Sequence, residues 1–406
     1  MKDYDKLKRS TLPENSDPLI VELVFDTPQS QVSVRDRVFD ALPVANIEAQ
    51  AVFDAEADRF HFISFPDIDP HGQETQIFAF ARSLRVQLGA TEANPVLPDS
   101  LYGAAHVGSE SLFAFCETPR DSSLPFGWHH PRVKTPLAWA QTRGRGSKVA
   151  VIDTGYTDHN ELHDVIETRG QWNFVENDDD ARDRFSGGFL KNPGHGTLVA
   201  SVVASRGSAD MNGNTSAPGG VTGTAPEAKV LPIRAIRSVV DMTQRRISAA
   251  ITHAVSQKAD VIVMALGGPT RVASTEQALR DAVAAGTVIV CAAGNCYPSV
   301  IFPAAYAAMG ICTAVAALQP DKRPWQKTGR GPEVSFAAYG EHVWGAAKNN
   351  ASDPNAGIRA SQGTTLATSM IGGIAALWVA SHGGRDALRI KAQAAGTTVQ
   401  AMWAHC

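Results

Sequence analysis

Cysteine is scarce in this chain: there are five among 406 residues, an odd number with no CxxC spacing. That pattern excludes the disulfide framework of a small secreted domain and makes reduced, buried thiols the expected state, although Cys291 and Cys296 are near enough in sequence to meet. An excess of one charge is missing too. With 37 Lys and Arg against 41 Asp and Glu, the net charge is only -4 and the basic residues are scattered, so no nucleic acid is expected as a partner. No apolar run was found with the length of a membrane span, and the opening MKDYDKLKRSTLPENSDP carries charge and proline where a signal peptide would be apolar. The expectation is therefore a cytoplasmic protein with no membrane partner. Internal repeats are lacking, RGRGSK does not have P-loop spacing, and no G-x-S-x-G elbow occurs.

What is present suits a folded protein. A hydrophobic content of 44% can supply a core, and the length exceeds that of a usual single-core domain. Residues 1–18 read as an N-terminal tail and 19–100 as a small α+β unit. In the latter, LIVELVFD, ANIEAQAVFD and RFHFISF have the composition of strands. SVRDRVFDAL and QETQIFAFARSLRVQLGA have helical spacing, the second closed by Gly89, and NPVLP turns extended again. Strand, helix, strand, strand, helix, strand is the split βαβ, ferredoxin-like order. Residues 101–126, rich in turn formers, read as a linker, and 127–406 as one large domain.

In that large domain β-rich runs (KVAVID, KVLPIRAI, DVIVMALG, TVIVCAAG) alternate with helical ones (TLVASVVAS, ISAAITHAVSQ, TEQALRDAVAAG). The alternation predicts an α/β domain with a parallel sheet covered by helices on both faces, and ligands bind such sheets at the carboxyl ends of their strands. Asp153 and Asn295 each follow directly on a strand, which puts them on one rim. Asp153 ends a run of Val and Ile, so its carboxylate is partly buried and needs a partner, which a His ring nitrogen would supply. His195 lies between two glycines at the head of an apolar helix, where small neighbours allow close approach. D-T-G also marks aspartic proteases, but these need two copies and only one is seen.

VAVIDTG, GHGT, AAGN and QGTTLATSMIGGIAAL occur in a fixed order, Asp before His before nucleophile. These stretches resemble the Asp, His, oxyanion Asn and nucleophile segments of the subtilisin family, strongly from 127 to the C-terminus. The resemblance implies a subtilisin-like endopeptidase acting on peptide or protein substrates, in which Asp153 orients His195, His195 moves the proton and Asn295 donates to the oxyanion. It also implies that 19–100 is similar to a propeptide, a folding assistant and inhibitor bound within the molecule, with any cleavage in the linker. One residue departs from the pattern. Where the family has Ser, this chain has Thr365, with the same hydroxyl but a second branch on Cβ that restricts χ1 and crowds the substrate carbonyl. Sliding the register to make Ser369 the nucleophile loses the leading Gly363 and shifts Gly373 and Ala375. Thr can attack when a base activates it, so attenuation rather than loss is expected.

By the same resemblance, Ala265, Leu266, Gly267 and Gly268 form the strand that pairs with an extended substrate. Ile301, two residues before Pro303, stands at the base of the primary specificity pocket, where Gly is common. A branched residue there implies a preference for small side chains before the scissile bond, and the Phe302–Pro303 bond is expected to be cis. No cofactor is expected. His129 and His130 read as loop residues; HNELH lacks the Glu position of a zinc motif; DDDARD at 178–183 lacks a calcium-loop pattern and reads as a solvated acidic loop, so a Ca2+ ion there has no support. A pseudoprotease that binds peptide or regulates without much chemistry is the alternative, weakened by the retained Asp, His and Asn.

Overall fold

The computed structural model describes residues 4, 7, 18–43, 46–70, 73–96, 118–119, 122–185, 192–207, 221–237, 239, 244–295 and 299–382. The chain divides into two compact units, Met1–Glu110 with Met242–Ala249 and Pro269–Gln277, and Ser111–Asp241 with Ala250–Gly268 and Ala278–Cys406.

The first unit contains β1 (Leu19–Gln29), α1 (Gln31–Ala41), β2 (Glu48–Ala51), β3 (Asp58–Phe65), α2 (Glu74–Leu88) and β4 (Glu92–Val96). Its sheet has the order β2-β3-β1-β4, every pair antiparallel, which is the split βαβ topology. Ser30 caps α1 by accepting from the Ser33 N–H, and Gly89 ends α2 in the left-handed conformation that glycine adopts without strain. Alternate residues of β1 (Leu19, Val21, Leu23) pack with Val34 and Val38 of α1 and with Ile77, Phe80 and Leu84 of α2. Two residues from the stretch read as a tail also contribute. Tyr4 and Leu7 are buried in this core, and the Tyr4 ring lies 6.4 Å from that of Phe65 and 6.2 Å from that of Phe80. Burying such side chains contributes about 1.5–3 kcal/mol each. Within the same unit the buried Glu22 carboxylate accepts from the N–H groups of Ala273 and Ser274 at 3.0 and 2.9 Å and from the Ser274 hydroxyl at 2.7 Å.

Further along the chain lie β5 (Thr118–Pro119), β6 (Lys148–Asp153), β7 (Trp172–Asn173), α3 (His195–Ala204), β8 (Lys229–Arg234), α4 (Ile247–Ser256), β9 (Val261–Met264), α5 (Ala273–Ala284) and β10 (Val288–Ala292). They are followed by β11 (Thr313–Leu318), β12 (Val334–Tyr339), β13 (Val343–Ala346), β14 (Ile358–Gln362) and α6 (Thr364–His382). A seven-stranded sheet with the order β12-β11-β10-β9-β6-β8-β7 forms the centre of the second unit, with every pairing parallel. From β6 the chain builds outward to β8 on one side and then crosses to β9 on the other. The order thus reverses at β6, and α/β sheets hold their ligands at the carboxyl ends of the strands beside such a reversal.

The helix α6 is 19 residues long and apolar enough, by length and composition, to cross a membrane. Here it is largely buried, which accounts for an apolar character all round it, with Leu366, Ala367, Met370 and Leu377 in the same core as Leu198 and Val202 of α3. His129 lies in a turn, as expected of a loop residue, and His130 opens a short helix, His130–Val133. Both rings are buried with centroids 4.2 Å apart, and His130 makes hydrogen bonds to Thr135 Oγ1 at 3.0 Å and the Thr222 carbonyl at 2.9 Å. Cys291 is a buried free thiol whose neighbour is Cys312, while Cys296 lies outside the described residues.

Candidate active site

Asp153 closes β6 and is 1% exposed. Its carbonyl accepts from the Ala235 N–H at 2.9 Å, and its Oδ1 accepts from the Thr154 N–H at 2.7 Å and from His195 Nδ1 at 2.8 Å. A carboxylate only accepts, so the ring donates from Nδ1 and, when neutral, keeps its lone pair on Nε2.

His195 is the first residue of α3, and glycine on either side allows it to be there. A Cβ on Gly194, whose φ is +76°, would overlap the Lys348 carbonyl oxygen, and one on Gly196 would overlap the Gly155 carbonyl oxygen. The start of α3 is thereby drawn into contact with the D-T-G loop. Gly196 N–H donates to Thr154 Oγ1 at 3.2 Å, satisfying a donor at the helix start, and the loop's Thr157 N–H donates to Thr197 Oγ1 at 2.8 Å, which ties the helix to the loop.

On the opposite side, Gly363 turns the chain into α6 with a φ of +152°. Thr365 follows in the first turn, with Oγ1 3.3 Å from His195 Nε2. Ser369 lies elsewhere: its hydroxyl donates to the Thr365 carbonyl at 2.8 Å, back along the helix. Asn295 is held by a residue that sequence reading passed over. Its Oδ1 accepts from the Thr364 N–H at 3.0 Å and from the Thr364 hydroxyl at 2.9 Å. Because a backbone N–H only donates, the amide oxygen is identified and the amide N–H groups are what Asn295 has left to offer. The available signal was a hydroxyl residue rather than an apolar one just ahead of the nucleophile position.

Ala265, Leu266, Gly267 and Gly268 follow β9, but part of this edge is already paired. Gly267 N–H donates to the Val239 carbonyl at 2.9 Å, and Gly268 exchanges hydrogen bonds of 2.9 and 2.8 Å with Phe302. The expectation that both glycines await a substrate backbone thus differs from the structure, because backbone groups of a buried segment take partners from the chain itself. Ile301 packs where the glycines leave space: a Cβ on Gly267 would come within 2.8 Å of its Cδ1 and one on Gly294 within 2.9 Å. The Phe302–Pro303 bond is cis.

The acidic run is not a solvated loop throughout. Asp178 takes Asn173 and Arg184 at 3.1 and 2.6 Å, Asp180 takes Arg182 at 2.8 Å, and Asp183 is buried, because a buried guanidinium and a backbone N–H are there to receive it. His159 bonds the Gly357 carbonyl at 2.8 Å while His163 is exposed beside Asp164. Among the described residues no group of three or more His, Cys, Asp and Glu converges as metal ligands.

An acid, an imidazole and a hydroxyl in line at the rim of a parallel sheet have a counterpart among known proteins, since the model of the subtilase family matches residues 144–401. The chain belongs to the subtilase family. This subtilase is 32% identical over 261 residues to the intracellular serine protease of Paenibacillus polymyxa, covering 60% of this chain and 70% of that protein. It is also 31% identical over 281 residues to thermitase of Thermoactinomyces vulgaris, covering 68% and 89%. Among solved structures, a protease from Pseudoalteromonas arctica PAMC 21717 superposes with a TM-score of 0.54 at 27% identity, covering 67% of this chain and 90% of that one. By family, the subtilase is a hydrolase of the subtilisin-like serine peptidase class, and its substrates are peptides or proteins.

Proposed function

We propose that this subtilase is an endopeptidase whose nucleophile is Thr365. In the reaction His195 Nε2 takes the hydroxyl proton as Oγ1 attacks the scissile carbonyl, then gives it to the leaving amine; a water deprotonated by the same nitrogen attacks the resulting ester, and the proton returns to Oγ1 as the acid is released, while Asp153 holds the ring in the Nδ1–H tautomer and stabilises its charged form. Asn295, oriented by Thr364, donates to the oxygen that becomes negative, a contact whose loss costs about a hundred- to a thousandfold in rate. No metal or cofactor takes part in this scheme. The reading is carried by one observation, the run of hydrogen-bond contacts from Asp153 through both nitrogens of His195 to Thr365. The 3.3 Å spacing of the last contact is that of a site that tightens when substrate arrives.

The threonine methyl slows the step without abolishing it. In Thr365→Ser we expect kcat to rise about tenfold, the equivalent of ~1.4 kcal/mol of relieved crowding. In Thr365→Ala, hydrolysis and labelling by a fluorophosphonate probe are expected to disappear. Equal labelling of wild type and Thr365→Ala would sink the assignment.

The split βαβ unit precedes the peptidase unit, as a propeptide does, and we assign it that role, with residues 101–126 as the region of cleavage; most of these lie outside the described residues. N-terminal sequencing after incubation of the purified chain tests this. An intracellular setting is supported by the names of two relatives, the intracellular serine protease of Paenibacillus polymyxa and the major intracellular serine protease of Bacillus subtilis.

A further inference from the structure

Behind the Asp153–His195 pair runs a second set of contacts that the proposed reaction does not use. Asp183 is 7% exposed; its Oδ2 accepts from the Gly194 N–H at 2.8 Å, and its Oδ1 accepts from the Phe185 N–H at 2.9 Å and lies 3.6 Å from Nη1 of Arg234. Arg234, 1% exposed, stands level with Asp153 across the β6–β8 ladder. Its Nε and Nη2 bond the Glu176 carboxylate at 2.9 and 3.3 Å, while Nη1 donates to the Thr154 carbonyl. Thr154 in turn is the residue whose N–H holds Asp153 Oδ1. One guanidinium therefore touches both the residue after Asp153 and the carboxylate that grips the residue before His195.

We propose that Asp183 and Arg234 are positioning residues that fix the Asp153–His195 contact from its two ends. The proposal rests on the role given to that pair above. A buried ion pair is a weak source of stability, since desolvation offsets the attraction between its charges. What the guanidinium adds is direction, because its rigid planar fork sends donors spaced several ångströms apart to Glu176 and Thr154, a spread that the compact, rotating donors of an ammonium do not hold. Asp183 acts on the other half. It fixes Gly194, a left-handed residue with no side chain of its own, at the point from which α3 presents the imidazole. A displacement of about 1 Å at such a point is enough to cost roughly a hundredfold in rate.

The test uses the full chain with Asp183→Asn, which keeps one acceptor oxygen but not the charge, and Arg234→Lys, which keeps the charge but not the fork. Two readouts are taken: kcat and KM for peptide hydrolysis per folded molecule, and the far-downfield NMR signal of the His195 Nδ1 proton, recorded in a Thr365→Ala background where no turnover is needed. In both variants we expect kcat to fall about tenfold or more with KM within about twofold, and the proton signal to broaden through faster exchange with water. A lowered melting temperature accompanied by wild-type kcat and an unchanged signal would overturn the proposal, because that is what a merely structural salt bridge gives. If the wild type cleaves no peptide, the proton signal decides alone, which separates failure of this proposal from failure of the peptidase reading. Should Asp183→Asn not fold, Arg234→Lys carries the same two outcomes.

Discussion

At Ile301 the aliphatic side chain rests against Gly267 and Gly294, two residues that offer no side chains of their own. Space that three small residues would leave open is thus partly filled from within. Ile301→Gly is expected to raise kcat/KM for Phe over Ala before the scissile bond by roughly 10- to 200-fold, the range that about 1–3 kcal/mol of pocket discrimination produces. A panel of peptides differing only at that position measures it, and an unchanged preference would place the pocket elsewhere. That Asp153, His195 and Thr365 meet was legible in the sequence, because each sits inside a short motif and the structure brings the three into contact. The contacts of Ile301 and the grip of Thr364 on Asn295 were not, since both join segments far apart along the chain and no local pattern records them.

The apolar run TLVASVVAS, with His195 at its head, marks the helix α3, and α3 does begin at His195. That start is set by close approach: the Gly155 carbonyl occupies the place of a side chain at 196. Gly196→Ala is accordingly expected to destabilise the fold by about 1–3 kcal/mol, the usual cost of overpacking, and to lower kcat by pushing His195 from Asp153. Urea midpoints and kcat per folded molecule check both effects, and a variant with wild-type values of each would contradict the account. Strands β6, β8, β9 and β10 were legible as continuous apolar runs, the mark of strands buried on both faces. The β13–β14 hairpin and the edge strand β12 passed unread, because their alternation is mixed and their pairing is decided by neighbours in space.

For the molecule as a whole, the buried His129 and His130 make stability depend on pH. Burial holds the His130 ring down at about 4 and that of His129 well below its usual range, while the nearby Arg143 and the second imidazole discourage protonation further. In the unfolded chain both rings titrate near the ordinary value, so the unfolded state binds more protons between these limits. Their contribution is complete above about pH 6.5 and is lost as the pH falls towards 4, His130 alone accounting for on the order of 3 kcal/mol. Denaturant midpoints measured across that window should fall with acidity, and a flat profile would show that the rings are not buried neutral.

The place of Asp153 in the sheet has one more consequence. Its strand is paired on both sides, with β8 and β9, and its own carbonyl holds the Ala235 amide. Local breathing of surface segments therefore leaves the acid where it is, and only a rupture of the central ladder can release it. The amide protons of Val151 and Ala235 ought to exchange with solvent at the rate of global opening, slower than those of any peripheral turn. The carboxylate of Asp153 is thereby expected to keep its place until the central sheet itself comes apart.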